Sequence, residues 1–214
     1  MNTIDQIADQ IQAAGPGRVW MPADFAALGT RDAVDKAMQR LVARKTLRRI
    51  DRGLYDLPSK NKLTGRPSAP DYRAVLDALS RRDQSRLLVD GMTAANDLGL
   101  TDAIPAQVTI YSDTRRRDLQ LDRLTITFKT AAASRLYWAG RPAMRVVQAL
   151  HWLKDMLPSD GDSIRQKLAR VLGDAKHGTA IRADLAQGFG LLPTWMQDYL
   201  RTVPGFDPMT DLQQ

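Results

Sequence analysis

The chain has 214 residues, 43% of them hydrophobic, which is enough for one sizeable core or two modest ones and rules out disorder over most of its length. No stretch approaches the roughly 18 apolar residues that cross a bilayer, and the absence of cysteine excludes disulfides, thiol nucleophiles, zinc ribbons and iron–sulfur sites. The net charge of +7 arises from 31 Lys+Arg against 24 Asp+Glu, and every one of those acids is Asp, which removes Glu-based acid–base chemistry and the HExxH zinc motif.

Met1 to Gln10 carries Asp5 and Asp9 instead of a basic segment followed by an apolar one, so no secretory signal is expected and the chain reads as cytoplasmic. Thr3 to Ala14 sets Ile4, Ile7, Ala8 and Ile11 at helical spacing, and Gly15-Pro16-Gly17 ends that first helix. Arg18-Val19-Trp20 is a short β-prone stretch. Pro22 fits the first position of a second helix, Ala23 to Leu28, although Met21 is a poor cap for it. Thr30 caps a third helix from Arg31 to about Lys45, with Val34, Ala37, Met38 and Leu41 inward and Asp32, Asp35, Lys36, Gln39 and Arg40 outward. Leu47-Arg48-Arg49-Ile50 and Leu54-Tyr55-Asp56-Leu57-Pro58, joined by Asp51-Arg52-Gly53, read as a β-hairpin.

Helix, short strand, helix, helix, hairpin is the order of a winged helix-turn-helix domain, with the third helix as reader and the hairpin as wing. Charge falls in the same place. Residues 1–35 hold two Arg against five Asp, whereas residues 36–66 hold ten Lys/Arg against Asp51 and Asp56, a net of +8 in one window. A cationic cluster this local is the footprint expected for a polyanion, and in a cytoplasmic protein that is nucleic acid; a solvated charged face is the competing reading. The candidate DNA contacts are Thr30, Arg31, Lys36, Gln39 and Arg40 on the reader helix, with Lys45 at its end and Arg48, Arg49 and Arg52 on the wing. Gln can pair an adenine edge and Arg or Lys a guanine edge, while wing cations meet phosphates or enter a minor groove. Any one wing Arg can instead cover the hairpin's apolar surface with its stem.

Ser59 to Pro70 resembles a linker, in which Lys60, Lys62 and Arg66 either extend the footprint or keep the segment soluble. The expected division is therefore a DNA-binding domain at 1–58, a linker at 59–70 and a second domain at 71–214. Asp71 caps a helix to about Arg82, Arg86 to Val89 is a strand, and Gly91 to Leu100 is a turn and a short helix capped by Thr93. Val108 to Tyr111 and Leu124 to Lys129 are strands, with Asp113 to Asp122 read as a loop between them. Helices follow at 143–156, 163–172, 179–187 and 193–200. The fold class is α+β: a winged helix-turn-helix followed by a mixed α/β domain with a helical C-terminal end.

Arg115-Arg116-Arg117 fits a solvated loop tip as well as it fits a contact to nucleic acid or to an acidic partner protein. His151 and His177 have no second His at metal-ligand spacing, and Asp160-Gly161-Asp162 precedes a helix, where Asp serves as a cap. No catalytic constellation, metal site or cofactor is expected.

The run Met21-Pro22-Ala23-Asp24-Phe25, Leu28-Gly29-Thr30, Ala33-Val34-Asp35 and Leu47 through Pro58 resembles the N-terminal domain of the AbiEi-type antitoxins of type IV toxin–antitoxin systems. Ala94-Ala95-Asn96, Leu98-Gly99-Leu100 and Pro105-Ala106-Gln107-Val108 are similar to that family's second domain, so the likeness spans roughly residues 3 to 155. It implies a bacterial protein whose winged helix binds repeats in double-stranded DNA upstream of its own operon, represses it, and associates with the nucleoid when bound. It implies also a second domain that counters a nucleotidyltransferase-like toxin. Met21 stands where a Ser or Thr cap is usual, and the tail beyond about residue 155 matches less well. The alternatives are a stand-alone winged-helix repressor and a protein-interaction module with no toxin.

Overall fold

The structure is a computed structural model that describes residues 2–61, 65–105, 107–133 and 135–213. It is α+β, with eight α-helices and two small sheets among those residues. Lys62, Ala106 and the remaining positions lie outside them. The chain divides into two compact units, residues 1–85 with 119–125, and residues 86–118 with 126–214.

In the first unit, α1 (Thr3–Ala14) begins at Asn2, whose side chain accepts a hydrogen bond from the Ile4 N–H, and buries Ile4, Ile7 and Ile11. After β1 (Val19–Trp20) the chain makes a 3₁₀ helix, Pro22–Leu28, where an α-helix is expected. Phe25 breaks its helical geometry, and Asp24 accepts a hydrogen bond from the Met21 N–H at 2.8 Å, doing from within the helix what Met21 cannot do as a cap. The second long helix, α2 (Arg31–Ala43), starts at Thr30, whose hydroxyl accepts from the Ala33 N–H, and ends two residues short of expectation, with Lys45 in the left-handed region at φ 59°. β2 (Arg48–Asp51) and β3 (Leu54–Asp56) form the hairpin, turning through Arg52 and Gly53, the latter at φ 71°. β1 pairs antiparallel with β3, giving the order β1-β3-β2. Trp20 and Phe25, stacked at 5.2 Å, sit in one core with Ile7, Ile11, Met38 and Leu41.

The two ends of the segment 59–70, read as a linker, are hydrogen-bonded to each other. Lys60 pairs with Pro67 as an isolated bridge, and the Ser68 N–H donates to the Ser59 carbonyl at 2.8 Å. The helix that follows, α3 (Tyr72–Asp83), is expected in the second domain yet belongs to the first unit. Arg81 meets Asp24 at 3.2 Å and Asp77 at 3.1 Å, and Arg82 donates to the Arg52 carbonyl at 2.6 Å.

The other sheet has the order β4-β5-β7-β6, in which β4 (Leu87–Val89) is antiparallel to β5 (Gln107–Ser112), β6 is Leu119–Leu121 and β7 is Leu124–Thr130. β6 lies inside the segment read as a loop. α4 (Gly91–Asp97) is capped by Asp90, not Thr93: the Asp90 carboxylate accepts from the Thr93 N–H at 3.0 Å and the Thr93 hydroxyl at 2.7 Å. α5 (Met144–Leu153) passes so close that a Cβ on Gly91 would stand 2.6 Å from the Gln148 carbonyl oxygen. α6 (Leu157–Leu172) starts earlier than expected, with Pro158 in its first turn, and takes in Asp160-Gly161-Asp162. α7 (Gly178–Gln187) and α8 (Thr194–Arg201) complete the helical end. No helix among the described residues is long and apolar enough to cross a membrane.

Candidate nucleic-acid interface

The sequence of α2 fixes which of its side chains can face a ligand. Val34, Ala37, Met38 and Leu41 are buried, so the 3.6-residue period turns Arg31, Lys36, Gln39 and Arg40 outward, and all four are exposed. Its first two turns are charge-neutralised on the helix itself: Arg31 Nε meets Asp35 at 2.9 Å and Lys36 Nζ meets Asp32 at 2.8 Å. Exposed i,i+4 pairs of this kind are worth only about 0.3–0.5 kcal/mol, so either cation can exchange its carboxylate for a phosphate at little cost. Gln39 and Arg40, with Arg44 and Lys45 beyond them, are exposed and have no side-chain partner among the described residues. Positive charge is therefore uncompensated in the C-terminal half of α2. Thr30 is exposed too, but its hydroxyl oxygen is engaged as the helix cap.

On the hairpin, adjacent residues of a strand point to opposite faces, and this separates Arg48 from Arg49. Arg48 turns inward: Nε and Nη2 bind the buried Asp56 carboxylate at 3.0 and 2.5 Å, and Nη1 donates to the Ser68 carbonyl at 2.7 Å. All three nitrogens that can donate are thus engaged inside the fold, so Arg48 is a bracket between the hairpin and the backbone at Ser68 instead of the wing contact expected for it. Arg49 is exposed, with one long contact from Nε to the Asp51 carbonyl at 3.4 Å. Arg52, at the hairpin tip, is exposed with its guanidinium unpartnered among the described residues. Arg82 of α3 supports the tip from behind, through the Arg52 carbonyl and Asp51 at 3.7 Å. Its guanidinium is held above the ordinary arginine pKa chiefly by the hydrogen bond to Asp83. The sequence reading missed this support, whose one signal is the Arg81-Arg82-Asp83 run closing a helix otherwise read as part of the second domain.

Lys60 and Arg66 are exposed. In the second unit Arg115 and Arg117 are exposed between β5 and β6, whereas Arg116 is half-buried with its guanidinium 5.9 Å from the Phe128 ring. The three Arg are thus not one equivalent patch. His151 lies edge-on to Trp195 at 6.0 Å, and its pKa is lowered by desolvation and then by the neighbouring Lys154. Asp162 pairs with Arg165 at 2.7 Å on the surface of α6, and Asp160 accepts from the Ser159 hydroxyl. Among the described residues no group of three or more His, Cys, Asp or Glu is placed to hold a metal ion.

A family model described as a family of unknown function (DUF6088) matches residues 6–178. No curated protein matches the chain. Among solved structures it is similar to the RV2827C protein from Mycobacterium tuberculosis, a crystal structure, at 17% identity, covering 99% of this chain and 80% of that one with a TM-score of 0.44.

Proposed function

Because the chain belongs to the family of unknown function DUF6088, its activity has to be read from its own residues, and we propose that the N-terminal unit is a winged helix-turn-helix that binds double-stranded DNA. The observation that carries this reading is the exposed row Gln39, Arg40, Arg44 and Lys45 with no intramolecular partner among the described residues, in the same unit as a hairpin that exposes Arg49 and Arg52. α2 supplies the base-reading side chains, Gln39 toward adenine and Arg40 toward guanine. Arg49, Arg52 and Lys45 neutralise phosphate, and Arg31 and Lys36 join them when their carboxylates are displaced. Asp32 and Asp35 restrain binding to any duplex regardless of sequence.

The biological reading extends from the likeness of residues 21–58 and 91–108 to the AbiEi-type antitoxins: a cytoplasmic autorepressor that counters a nucleotidyltransferase-like toxin through its second unit. Footprinting on the DNA upstream of the protein's own coding sequence tests the first half. Gln39→Ala and Arg40→Ala are expected to change base preference at single positions, and a uniform loss at every position would remove them as readers. Co-expression with an adjacent nucleotidyltransferase tests the second half, rescue of growth being the expected result.

A further inference from the structure

The second unit contains a cleft of about 860 Å³, within the range of small-molecule sites. Lys167, Arg170 and Val171, which share one face of α6, line the cleft together with Asp174 just beyond that helix, Arg145 and Val146 of α5, and Ile181 of α7. The charges along it are not equivalent. Asp174 already accepts backbone N–H bonds from Lys176 and His177, at 3.1 and 2.8 Å. Arg141 is tied to Asp184 at 2.8 Å through Nε and to Gln187 at 2.7 Å. Arg145 is held differently: its Nε donates to Asp97 at 2.9 Å, a carboxylate 3% exposed, and its two η nitrogens have no partner among the described residues. Lys167 and Arg170 likewise have no partner there.

Two cations, Lys167 and Arg170, therefore line this concave surface with their charge unanswered, and a third, Arg145, is paired through Nε with the buried Asp97, which orients it, beside the apolar side chains of Val146, Val171 and Ile181. Cations convergent on an apolar cleft are what a compact organic anion needs: the charged group takes forked, charge-assisted hydrogen bonds, and the rest of the molecule covers the apolar wall. We propose that this cleft binds a small organic phosphate, its phosphate held by Arg145, Lys167 and Arg170 and its flat or apolar body against Val146, Val171 and Ile181. Such a ligand makes the second unit a sensor as well as a partner-binding module, and the site stands independently of any DNA contact by the first unit.

The test uses the full chain and two probes, adenosine monophosphate and phenyl phosphate, read by calorimetry and by two-dimensional amide NMR. Both are expected to shift the amide signals of residues 141–146 and 167–181. Their uncharged counterparts, adenosine and phenol, are expected to bind about tenfold more weakly or worse, since the charged hydrogen bonds are lost. Lys167→Ala with Arg170→Ala is expected to lower affinity for both probes by about tenfold or more, whereas Arg49→Ala with Arg52→Ala leaves it unchanged. Lys167→Gln with Arg170→Gln repeats the experiment with helix-compatible side chains of similar length, and an unaltered unfolding midpoint certifies the fold of whichever pair is used. The proposal is overturned if neither phosphate shifts those signals at about 1 mM, if the folded double variant binds as well as the parent, or if adenosine binds as tightly as its monophosphate.

Discussion

Arg48 and Arg49 are neighbours in sequence with identical chemistry, and the geometry assigns them opposite consequences. Arg48 is 29% exposed and its partner Asp56 9%, and the guanidinium makes two bonds to that carboxylate and one to the Ser68 carbonyl. Arg48→Ala leaves a nearly buried carboxylate without its cation, which costs about 3–5 kcal/mol for a fully buried pair. Partial access of water to Arg48 brings this down to about 2–3 kcal/mol. For a unit of this size that corresponds to a fall in unfolding midpoint of roughly 10–20 °C. Arg49→Ala and Arg52→Ala remove exposed side chains and are expected to change stability by about 0.5 kcal/mol or less. On DNA the order reverses. Each phosphate contact contributes about 0.9 to the slope of log affinity against log salt, so the Arg49/Arg52 double variant flattens the slope by roughly 1.8, while Arg48→Ala, assayed where it is folded, leaves it alone. Thermal unfolding followed by far-ultraviolet circular dichroism and fluorescence anisotropy with a labelled duplex supply the two readouts. An Arg48→Ala protein with parental stability and a flattened slope would refute the assignment.

The acids of α2 give the converse result. Asp32→Asn with Asp35→Asn releases Lys36 and Arg31, and the salt slope is expected to steepen by up to about 1.8 as the acids stop competing with phosphate for these cations; an unchanged slope would mean that removing the acids adds no phosphate contact. In the second unit, Asp184 accepts from Arg141 Nε at 2.8 Å and from the Ala143 N–H at 2.9 Å while buried. Asp184→Ala is expected to cost about 2–4 kcal/mol by chemical denaturation, with Asp184→Asn retaining part of it. His151 has a lowered pKa in the folded chain, so between the ordinary histidine value near 6.5 and its own lower value the unfolded chain binds a proton that the folded chain does not. Stability attributable to His151 is therefore lost as pH falls through that interval. A His151→Gln protein is expected to show a shallower decline there, and an identical profile would show that His151 is not responsible.

The locally encoded elements could be read directly. Ile4, Ile7 and Ile11 mark α1, the Val34-to-Leu41 stripe with Thr30 before it marks α2, and Gly53 between two β-prone runs marks the hairpin, because each is set by periodicity and by residues that start or stop a chain segment. What escaped depends on contacts distant in sequence. Nothing local reveals that α3 belongs with the first unit, since its allegiance rests on Arg81 finding Asp24 and Arg82 finding the hairpin. β6 is three residues long inside a charged run, too short to show alternation. The cap of α4 had two candidates three residues apart, and Asp90 prevails because it accepts from both the N–H and the hydroxyl of Thr93. The site was partly legible: the cationic window was visible as composition, but its division into free and engaged side chains was not. Strand alternation could have separated Arg48 from Arg49, whereas the pairing of Arg31 and Lys36 with their own helix's acids was present in the i,i+4 spacing. The cleft in the second unit gathers residues from four helices, and no contiguous motif announces it.

The central claim is that the basic window of the first unit is a DNA-binding surface, and the measurement that tests it most directly is affinity for the upstream duplex as a function of salt. With about six phosphates neutralised, affinity is expected to fall about a thousandfold between roughly 50 and 200 mM salt. A shallow, sequence-indifferent dependence, equal for the parent and the Arg49/Arg52 variant, would contradict it.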